Sequence, residues 1–295
     1  MLGVDTRFFG SRLEAELVQI MESLVKIESS NWSLLQDIFR ENWPRYVVPY
    51  MLLDTHIRYP ELTKLFQLKV YCPYGNFSNG IVAIKNYETS QDLIIYPLNN
   101  TSAMEECLRT TKLINWDKPI EIQSTTEEVL QMIMRLCSKL KIKISTKEKV
   151  FTQYLDTDTK IFTEVRLPVD TYVGQLVPKH LGLVNSAWPY KYSWSQKFFK
   201  CLMNNGLTYA LYSMDHEPLA WITYEGVLTH LHCVPEHRNK GYAEFITKHA
   251  INCVLDSVKH IVAYNVETNV KSQKLFSKLG FKNIGHAYFT LVEPK

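Results

Sequence analysis

The sequence predicts an α+β protein in which a mixed, mostly antiparallel sheet is flanked by helices. The 295-residue chain is 46% hydrophobic and 21% charged, which is typical of a globular protein with a sizeable core. From residue 178 onward, hydrophobic periodicity gives the order α-α-β-β-β-α-β-α-β. Short turns join the three consecutive strands of that order, so we expect them to be antiparallel.

The first half of the chain also mixes helical and extended patterns. Apolar residues at helical spacing predict a helix over residues 11–26, and Ser33 is placed to cap another over 34–39. Ser124 and Glu127 form a capping-box pattern at the start of a later helix. The remaining predicted elements are strands at 67–73, 80–86 and 92–97 and helices at 102–113 and 126–140.

A polar, lysine-rich stretch at about 141–165 lies between the two halves. We therefore predict two domains, residues 1–160 and residues 161–295. The second-half helices are expected at 178–188, 194–205, 241–258 and 270–279. Its strands are expected at 207–213, 218–224, 227–234, 260–266 and 284–292.

A turn of sequence V-P-E-H-R-N-K-G-Y-A, residues 234–243, leads from the third of these strands into the longest helix. Free N–H groups and the helix dipole at such a junction favour a bound anion. Gly241 lets the backbone approach a ligand closely, and Arg238 and Lys240 add positive charge. The turn therefore predicts a pyrophosphate site, with an ordinary helix start carrying surface cations as the alternative.

A second motif, N-x-x-S-x-x-L-F-x-K-L-G-F, covers residues 269–281. Its Asn269 is suited to capping the helix that follows, and it can equally lie at the edge of a ligand site. Leu275, Leu279 and Phe281 are expected in the core.

The R-x-x-G-x-A turn followed by this motif resembles the GNAT superfamily of acyl-CoA N-acyltransferases, and more narrowly the glycine N-acyltransferase family. Three further stretches carry the narrower resemblance: residues 113–124, 180–188 and 218–221. The resemblance implies a GNAT fold, with a GNAT-like α/β N-terminal domain before a C-terminal acyl-CoA-binding domain.

The resemblance also implies an activity, in which an acyl group passes from acyl-CoA to the amine of glycine or a similar amino acid. Acyl-CoA is then a cosubstrate, and no cofactor is bound permanently. The backbone of His232, Cys233 and Val234 is expected to pair with pantetheine, and Asn269 to lie near the pantetheine end. The residues implied for the pyrophosphate are Arg238, Asn239, Lys240, Gly241, Tyr242 and Ala243.

The catalytic positions of the family are where this sequence departs from it. The position of the family's glutamate base is Val227, and the nearest acid is Glu225. His230 and His232 share one face of the predicted strand, so Glu225, His230 and His232 are the candidate bases. The family's tyrosine proton donor is replaced by Phe276.

These departures leave two alternatives to an amino-acid N-acyltransferase. One is a catalytically weak or silent acyl-CoA-binding relative that acts as a sensor or partner-binding protein. The other is a protein or peptide N-acetyltransferase with an open acceptor groove. The N-terminal half has no R-x-x-G-x-[GA] turn of its own, and we expect it to shape the acceptor pocket.

The net charge and the cysteine spacing limit the classes of partner and ligand that we expect the protein to bind. The formal net charge is +3, from 33 basic and 30 acidic residues, so neither nucleic acid nor a membrane is predicted as partner. The six cysteines show no metal-binding spacing and predict reduced thiols and no metal site. We expect an intracellular protein, mitochondrial or cytoplasmic, and the oligomeric state stays open.

Overall fold

The computed structural model describes residues 22–99, 101–156, 162–191 and 194–295. The first half contains β1 (Leu24–Ile27), α1 (Trp32–Arg40), α2 (Val47–Arg58), α3 (Pro60–Phe66), β2 (Lys69–Pro73), β3 (Ile81–Asn86), β4 (Gln91–Tyr96), α4 (Thr101–Thr110), β5 (Ile120–Thr125), α5 (Glu127–Leu140) and β6 (Ile144–Leu155). The second half contains β7 (Thr171–Gly174), α6 (Leu181–Ala187), α7 (Ser195–Asn204), β8 (Thr208–Ser213), β9 (Pro218–Tyr224), β10 (Leu228–Cys233), α8 (Tyr242–Leu255), β11 (Ile261–Val266), α9 (Val270–Lys278) and β12 (Lys282–Val292). Apart from the extra helix α3, both halves follow the order β-α-α-β-β-β-α-β-α-β.

All twelve of these strands form one continuous sheet in the order β1-β2-β3-β4-β5-β12-β6-β11-β10-β9-β8-β7. Neighbouring strands are antiparallel except for two pairs, β4 with β5 and β10 with β11. The predicted fold class, a mixed and mostly antiparallel sheet flanked by helices, is therefore confirmed. In the described part of the chain, no helix combines the length and apolar character needed to cross a bilayer.

The two halves exchange their last strands. Strand β12 pairs with β5 of the first half, for example Leu291 with Glu121, and β6 pairs with β11 of the second half, for example Tyr154 with Val262. The two exchanged strands also pair with each other. The polar stretch expected to separate the halves therefore includes the central strand β6, whose first half is exposed and whose end is buried. The predicted boundary at 160/161 falls on residues 157–161, outside the described residues.

Helices cover both faces of the sheet and enclose two clusters of buried side chains. The smaller cluster lies under α4 and α5 on one face of the first half, with Val82, Leu93 and Ile122 among its members. The larger cluster contains residues of α1, α2 and α3 together with α7, α8 and the second-half strands. The face of β3, β4 and β5 that does not contact α4 and α5 is thus turned towards the second half.

Three local predictions in the first half were wrong. Residues 24–27 form β1, antiparallel to β2, where a helix was predicted; the rest of that prediction, 11–21, lies outside the described residues. Ser33 does not cap α1, which begins one residue earlier, at Trp32. The cap of α5 is Thr126, whose Oγ1 accepts a hydrogen bond from the Val129 N–H at 3.4 Å, because Ser124 still belongs to β5.

Candidate active site

A gap opens between the parallel strands β10 and β11. They are paired only at Leu228 and Ala263, near the start of β10. Against β9, Thr229 is paired with Thr223 but His232 is paired with Trp221, so β10 contains one extra residue between these pairs. His230 in this β-bulge has φ 48°, in the left-handed region. A bulge bends its strand, and this bend accounts for the separation of β10 from β11.

The backbone of Cys233 faces the gap. Val234 N–H donates to Leu219 O on β9 at 3.0 Å, so residue 234 is a hydrogen-bonded position of the antiparallel pair. Because such positions alternate, the peptide groups of Cys233 point to the opposite side, towards β11. Its carbonyl oxygen accepts from Arg238 Nε at 3.0 Å. The Cys233 N–H is the group left to pair with an extended ligand in the gap. The expectation that the Val234 backbone also pairs with such a ligand was wrong, because its N–H is bonded to Leu219 O and its carbonyl oxygen accepts from the His237 N–H.

The turn after β10 presents N–H groups to a common space. Residues 235–237 form a short 3-10 turn, and α8 begins at Tyr242. The backbone N–H groups of residues 239–244 donate no hydrogen bond to any described residue. Those of the first helical turn are free by necessity, since an α-helix has no acceptors before its own start. This is the arrangement that binds phosphate oxygens in other proteins.

Gly241 is the N-cap of α8, with φ 80° and ψ 0°, and no side chain caps the helix. A Cβ at Gly241 would meet no atom within 4 Å, so the space in front of the helix is open. Asn239 also has a left-handed φ, 62°. Arg238 and the Lys240 ammonium, 3.5 Å from His237 Nδ1, add positive charge beside the turn. The expected pyrophosphate residues, including Tyr242 and Ala243, are therefore contiguous around an open helix start.

His230 and His232 both contact Trp221 of β9, with ring centroids 5.9 and 4.5 Å away. His230 is 7% exposed, and neither of its ring nitrogens has a hydrogen-bond partner among the described residues. Its ring lies 4.7 Å from Trp188 and 5.0 Å from Phe199, beneath α7. Burial lowers the pKa of His230 to about 3, with a further contribution from His232. The ring is therefore neutral at physiological pH.

His232 is half-buried and stacks on Trp221. Burial, and next the Arg238 guanidinium, lower the pKa of its imidazole. Glu225 lies in the turn between β9 and β10, at the closed end of the gap. Burial raises the pKa of Glu225. The Lys85 ammonium lowers this pKa and the Glu121 carboxylate raises it further, but burial has the largest effect. A carboxylate with a raised pKa is better matched to removing a proton near neutral pH than an imidazole held neutral by deep burial.

The second motif lies at the start of α9. Asn269 Oδ1 accepts from the Ser272 N–H at 3.1 Å, so this side chain caps the helix as one of its two interpretations predicted. Phe276 is 3% exposed and packs edge-to-face on Phe281 at 4.9 Å. Phe276 belongs to the core and has no group that donates a proton.

Sequence reasoning missed the contribution of the first half. Lys85, Asp92 and Glu121 lie side by side on β3, β4 and β5, on the face turned towards the second half. Asp92 is 3% exposed and accepts from the Tyr87 hydroxyl at 2.9 Å and from Gln123 Nε2 at 3.1 Å. Burial and the Glu121 carboxylate raise the pKa of Asp92 to about 7. A charged residue at an inward position of an apolar strand, such as Lys85 after Ile81 and Ala83, was the available signal.

The chain has relatives that are recognisable in sequence. The family model described as FR47-like protein matches residues 211–290, from β8 into β12. Mouse glycine N-acyltransferase is 20% identical over 227 residues, which make up 68% of this chain and 76% of the mouse protein.

Solved structures extend the similarity to the whole fold. A Drosophila protein matches with a TM-score of 0.83 at 17% identity, over 93% of this chain and 99% of that protein. A tandem GNAT protein from the clavulanic acid biosynthesis pathway matches with a TM-score of 0.56 at 12% identity, over 91% and 97% of the two chains. The GNAT fold implied by the sequence motifs is confirmed. The FR47-like match, the similarity to a curated acyltransferase and the shared fold together support the resemblance of this chain to the GNAT superfamily of N-acyltransferases.

Proposed function

We propose that this protein transfers an acyl group from acyl-CoA to the amine of glycine or a similar amino acid. The observation that carries the proposal is the gap between β10 and β11, which opens directly towards the free N–H groups of residues 239–244. A strand-like arm joined to a pyrophosphate has the shape of this feature, and CoA consists of such an arm and such a diphosphate.

In this proposal the pantetheine arm pairs with the Cys233 N–H along the gap, and the pyrophosphate binds at residues 238–243. Most of these contacts are made by the backbone, so they depend on the bulge at His230 and on the open N-terminus of α8. Asn269 remains a candidate for the far end of the pantetheine arm, through the amide nitrogen that the cap does not use.

The reaction requires a neutral amine, because an ammonium has no lone pair for attack. We assign the removal of that proton to Glu225, whose raised pKa favours this role. The amine nitrogen then attacks the thioester carbonyl carbon, the C–N bond forms, and the C–S bond breaks. The second proton of the nitrogen goes to the departing thiolate. Orientation of the two substrates supplies much of the acceleration in such a site.

His232 is the alternative base, since its half-buried ring lies on β10, one residue before Cys233, and its lowered pKa keeps it neutral. We assign His230 to a different role: it fills the space between Trp188, Phe199 and Trp221 and supports the bulge. A base with a pKa of about 3 would hold an abstracted proton too weakly to assist at neutral pH.

The test is to incubate the full chain with acetyl-, butyryl- and benzoyl-CoA, each with glycine, glutamine or another amine, and to measure release of free CoA thiol. We expect release that depends on both substrates, with the N-acylated amino acid identified by mass spectrometry. No release with any pair would refute the proposed activity.

A second candidate function is acyl-CoA binding without turnover, as in a sensor or partner-binding protein. The observation that favours it is Phe276, buried in the core where related enzymes place a proton donor. Calorimetry distinguishes the two candidates: the sensor binds acyl-CoA and releases no thiol in the presence of any amine.

A further inference from the structure

A row of charged side chains crosses the first-half sheet on the face turned towards the second half. Lys85 is paired with Asp92, and Asp92 with Glu121, in adjacent strands. Residues paired in this way have side chains on one face and within reach of each other. Lys85 is 7% exposed and Asp92 is 3% exposed. Charges at such depth are rare in protein interiors unless they are paired or bind a ligand.

Glu225 approaches this row from the second half. The turn that holds Glu225 packs on α2, where a Cβ at Gly226 would lie 2.5 Å from Thr55 Oγ1. The ring of the next residue, His56, lies 6.0 Å from the Phe66 ring, and the Lys85 ammonium lies over that same Phe66 ring. Across this contact the Glu225 carboxyl group interacts electrostatically with Lys85 and Glu121. Asp92 interacts in the same way with Lys85 and Glu225. The row and the closed end of the gap between β10 and β11 therefore belong to one site, built from both halves.

Lys85 and Glu225 are the members of this site whose charges are left without partners. The Asp92 carboxylate is satisfied by Tyr87 and Gln123. The Lys85 ammonium makes neither a hydrogen bond nor an ion pair with any described residue; its contact is the face of the Phe66 ring, 4.4 Å from the centroid. The Glu225 carboxylate likewise has neither kind of partner in the described part of the chain. A cation and an anion thus lie within electrostatic range of each other without touching.

We infer that Lys85 and Glu225 bind the two ends of a free α-amino acid, Lys85 its carboxylate and Glu225 its ammonium group. This inference rests on the proposed function and names the acceptor site of that reaction. An α-amino acid carries one negative and one positive charge on a single carbon, which matches an unpaired cation opposite an unpaired anion. A peptide N-terminus or a simple amine has no carboxylate for Lys85, so neither satisfies both groups.

The charges balance through the reaction. The ammonium group of the bound amino acid gives one proton to the Glu225 carboxylate, and the neutral nitrogen attacks the thioester carbon. As the C–N bond forms, the C–S electron pair leaves with sulfur, and the second proton of the nitrogen ends on that thiolate. Glu225 then releases its proton to water. Lys85 takes part in no bond change and holds the carboxylate throughout.

The test compares Lys85→Met with Lys85→Arg, using glycine and glycinamide as acceptors. Methionine keeps an unbranched side chain over Phe66 but removes the charge, whereas arginine keeps the charge. We expect Lys85→Met to raise the KM for glycine about tenfold to a hundredfold, as for the loss of a hydrogen bond to a charged group. The KM values for glycinamide and acyl-CoA should change less than about threefold, and Lys85→Arg should retain most of the glycine affinity. Equal changes for glycine and glycinamide would overturn the inference.

A binding measurement decides the inference even without turnover. Calorimetric titration of glycine and the other common amino acids into the wild-type protein saturated with CoA should show binding of at least one of them. Lys85→Met and, as a second variant, Glu225→Gln should each weaken that binding while CoA affinity and melting temperature stay near the wild-type values. Absence of amino-acid binding to the wild type, or unchanged binding in both variants, would overturn the inference. Failure of the proposed activity would show separately, as amino-acid binding without thiol release.

Discussion

The two halves of this chain share one order of elements but differ at the corresponding pair of parallel strands. In the first half, β4 and β5 are paired at four successive positions, from Gln91 with Ile120 to Ile94 with Gln123. In the second half, β10 and β11 are paired once and then separate, after the bulge at His230. One inserted residue in one strand thus accounts for the difference between a closed pair of strands and a separated one.

The turns that follow β4 and β10 also differ, since only the turn after β10 has the residues expected at an anion site. After β10 the chain has Arg238, Lys240 and Gly241 before its helix, and after β4 it has P-L-N-N-T, with neither glycine nor a cation. The first half instead carries Lys85, Asp92 and Glu121 across its closed strands. In the function that we propose, the second half binds the cosubstrate through its backbone and the first half recognises the acceptor through its charges.

The largest expected effect tests the cosubstrate side of this division. Gly241→Asp should lower CoA affinity at least about a hundredfold, because its carboxylate would compete for the N–H groups that we assign to the pyrophosphate. Gly241→Asn is the matched control: asparagine has the same shape and tolerates a positive φ, but it is neutral. Calorimetry with CoA measures both variants, and equal affinity of the two would remove the phosphate assignment.

The next prediction concerns the acid that joins the two halves. Glu225→Gln should lower kcat about a hundredfold, because the amide cannot accept the ammonium proton. In the wild type, kcat/KM should rise with pH through the pKa of Glu225, which burial places above the ordinary carboxyl range. The variant should lose this rise. A pH profile that is the same in both proteins would assign the proton transfer to another group.

The acceptor side can be tested through stability. The pKa of Asp92 is raised to about 7 in the folded protein, so between about pH 4 and pH 7 the folded state holds a proton that the unfolded chain has released. The stability of the wild type should therefore fall as pH rises through this window. Asp92→Asn should remove that fall, which amounts to about 2–4 kcal/mol. Urea unfolding from pH 4 to pH 8 measures it, with the exposed Asp215→Asn as control.

The smallest effect on activity is expected for Phe276→Tyr, which restores the side chain found at this position in many GNAT enzymes. Phe276 lies in the core, so the added hydroxyl would be buried without a partner and cost about 1–3 kcal/mol of stability. Turnover should stay within about threefold of the wild type, since the added hydroxyl would be enclosed in the core beside Phe281. Phe289→Tyr, at a half-buried position of β12, is the control for thermal unfolding. A large gain in turnover would place Phe276 beside the leaving thiolate.

The second half was more predictable than the first because its elements follow simple periodicities. Strands β8 to β12 and helices α7 to α9 were all predicted, with differences mainly at their ends. In the first half, helix α2 was missed because it is apolar on several sides and contains Pro49, so no single stripe marks it. Strand β6 was missed because its first half is exposed and polar. Its role depends on pairing with β11 and β12, which are distant in sequence.

The candidate site likewise has one part that could be predicted from the sequence and one part that could not. The turn of residues 234–243 could be identified from sequence, because glycine and cations before a helix have a local physical meaning. The row of Lys85, Asp92 and Glu121 could not, because its members are far apart in sequence and only strand pairing brings them together. The bulge at His230 has no sequence signal stronger than a histidine, a residue tolerant of positive φ.

The strand exchange has a consequence for the order in which the molecule is built during translation. When the ribosome has released β5, the neighbour of that strand, β12, is still more than a hundred residues from being synthesised. The nascent chain therefore exposes one edge of its first-half sheet until β12 has been synthesised, and contacts so distant in sequence slow folding. Loss of residues 282–292 would thus leave β5 and β6 without their common neighbour and open the middle of the sheet.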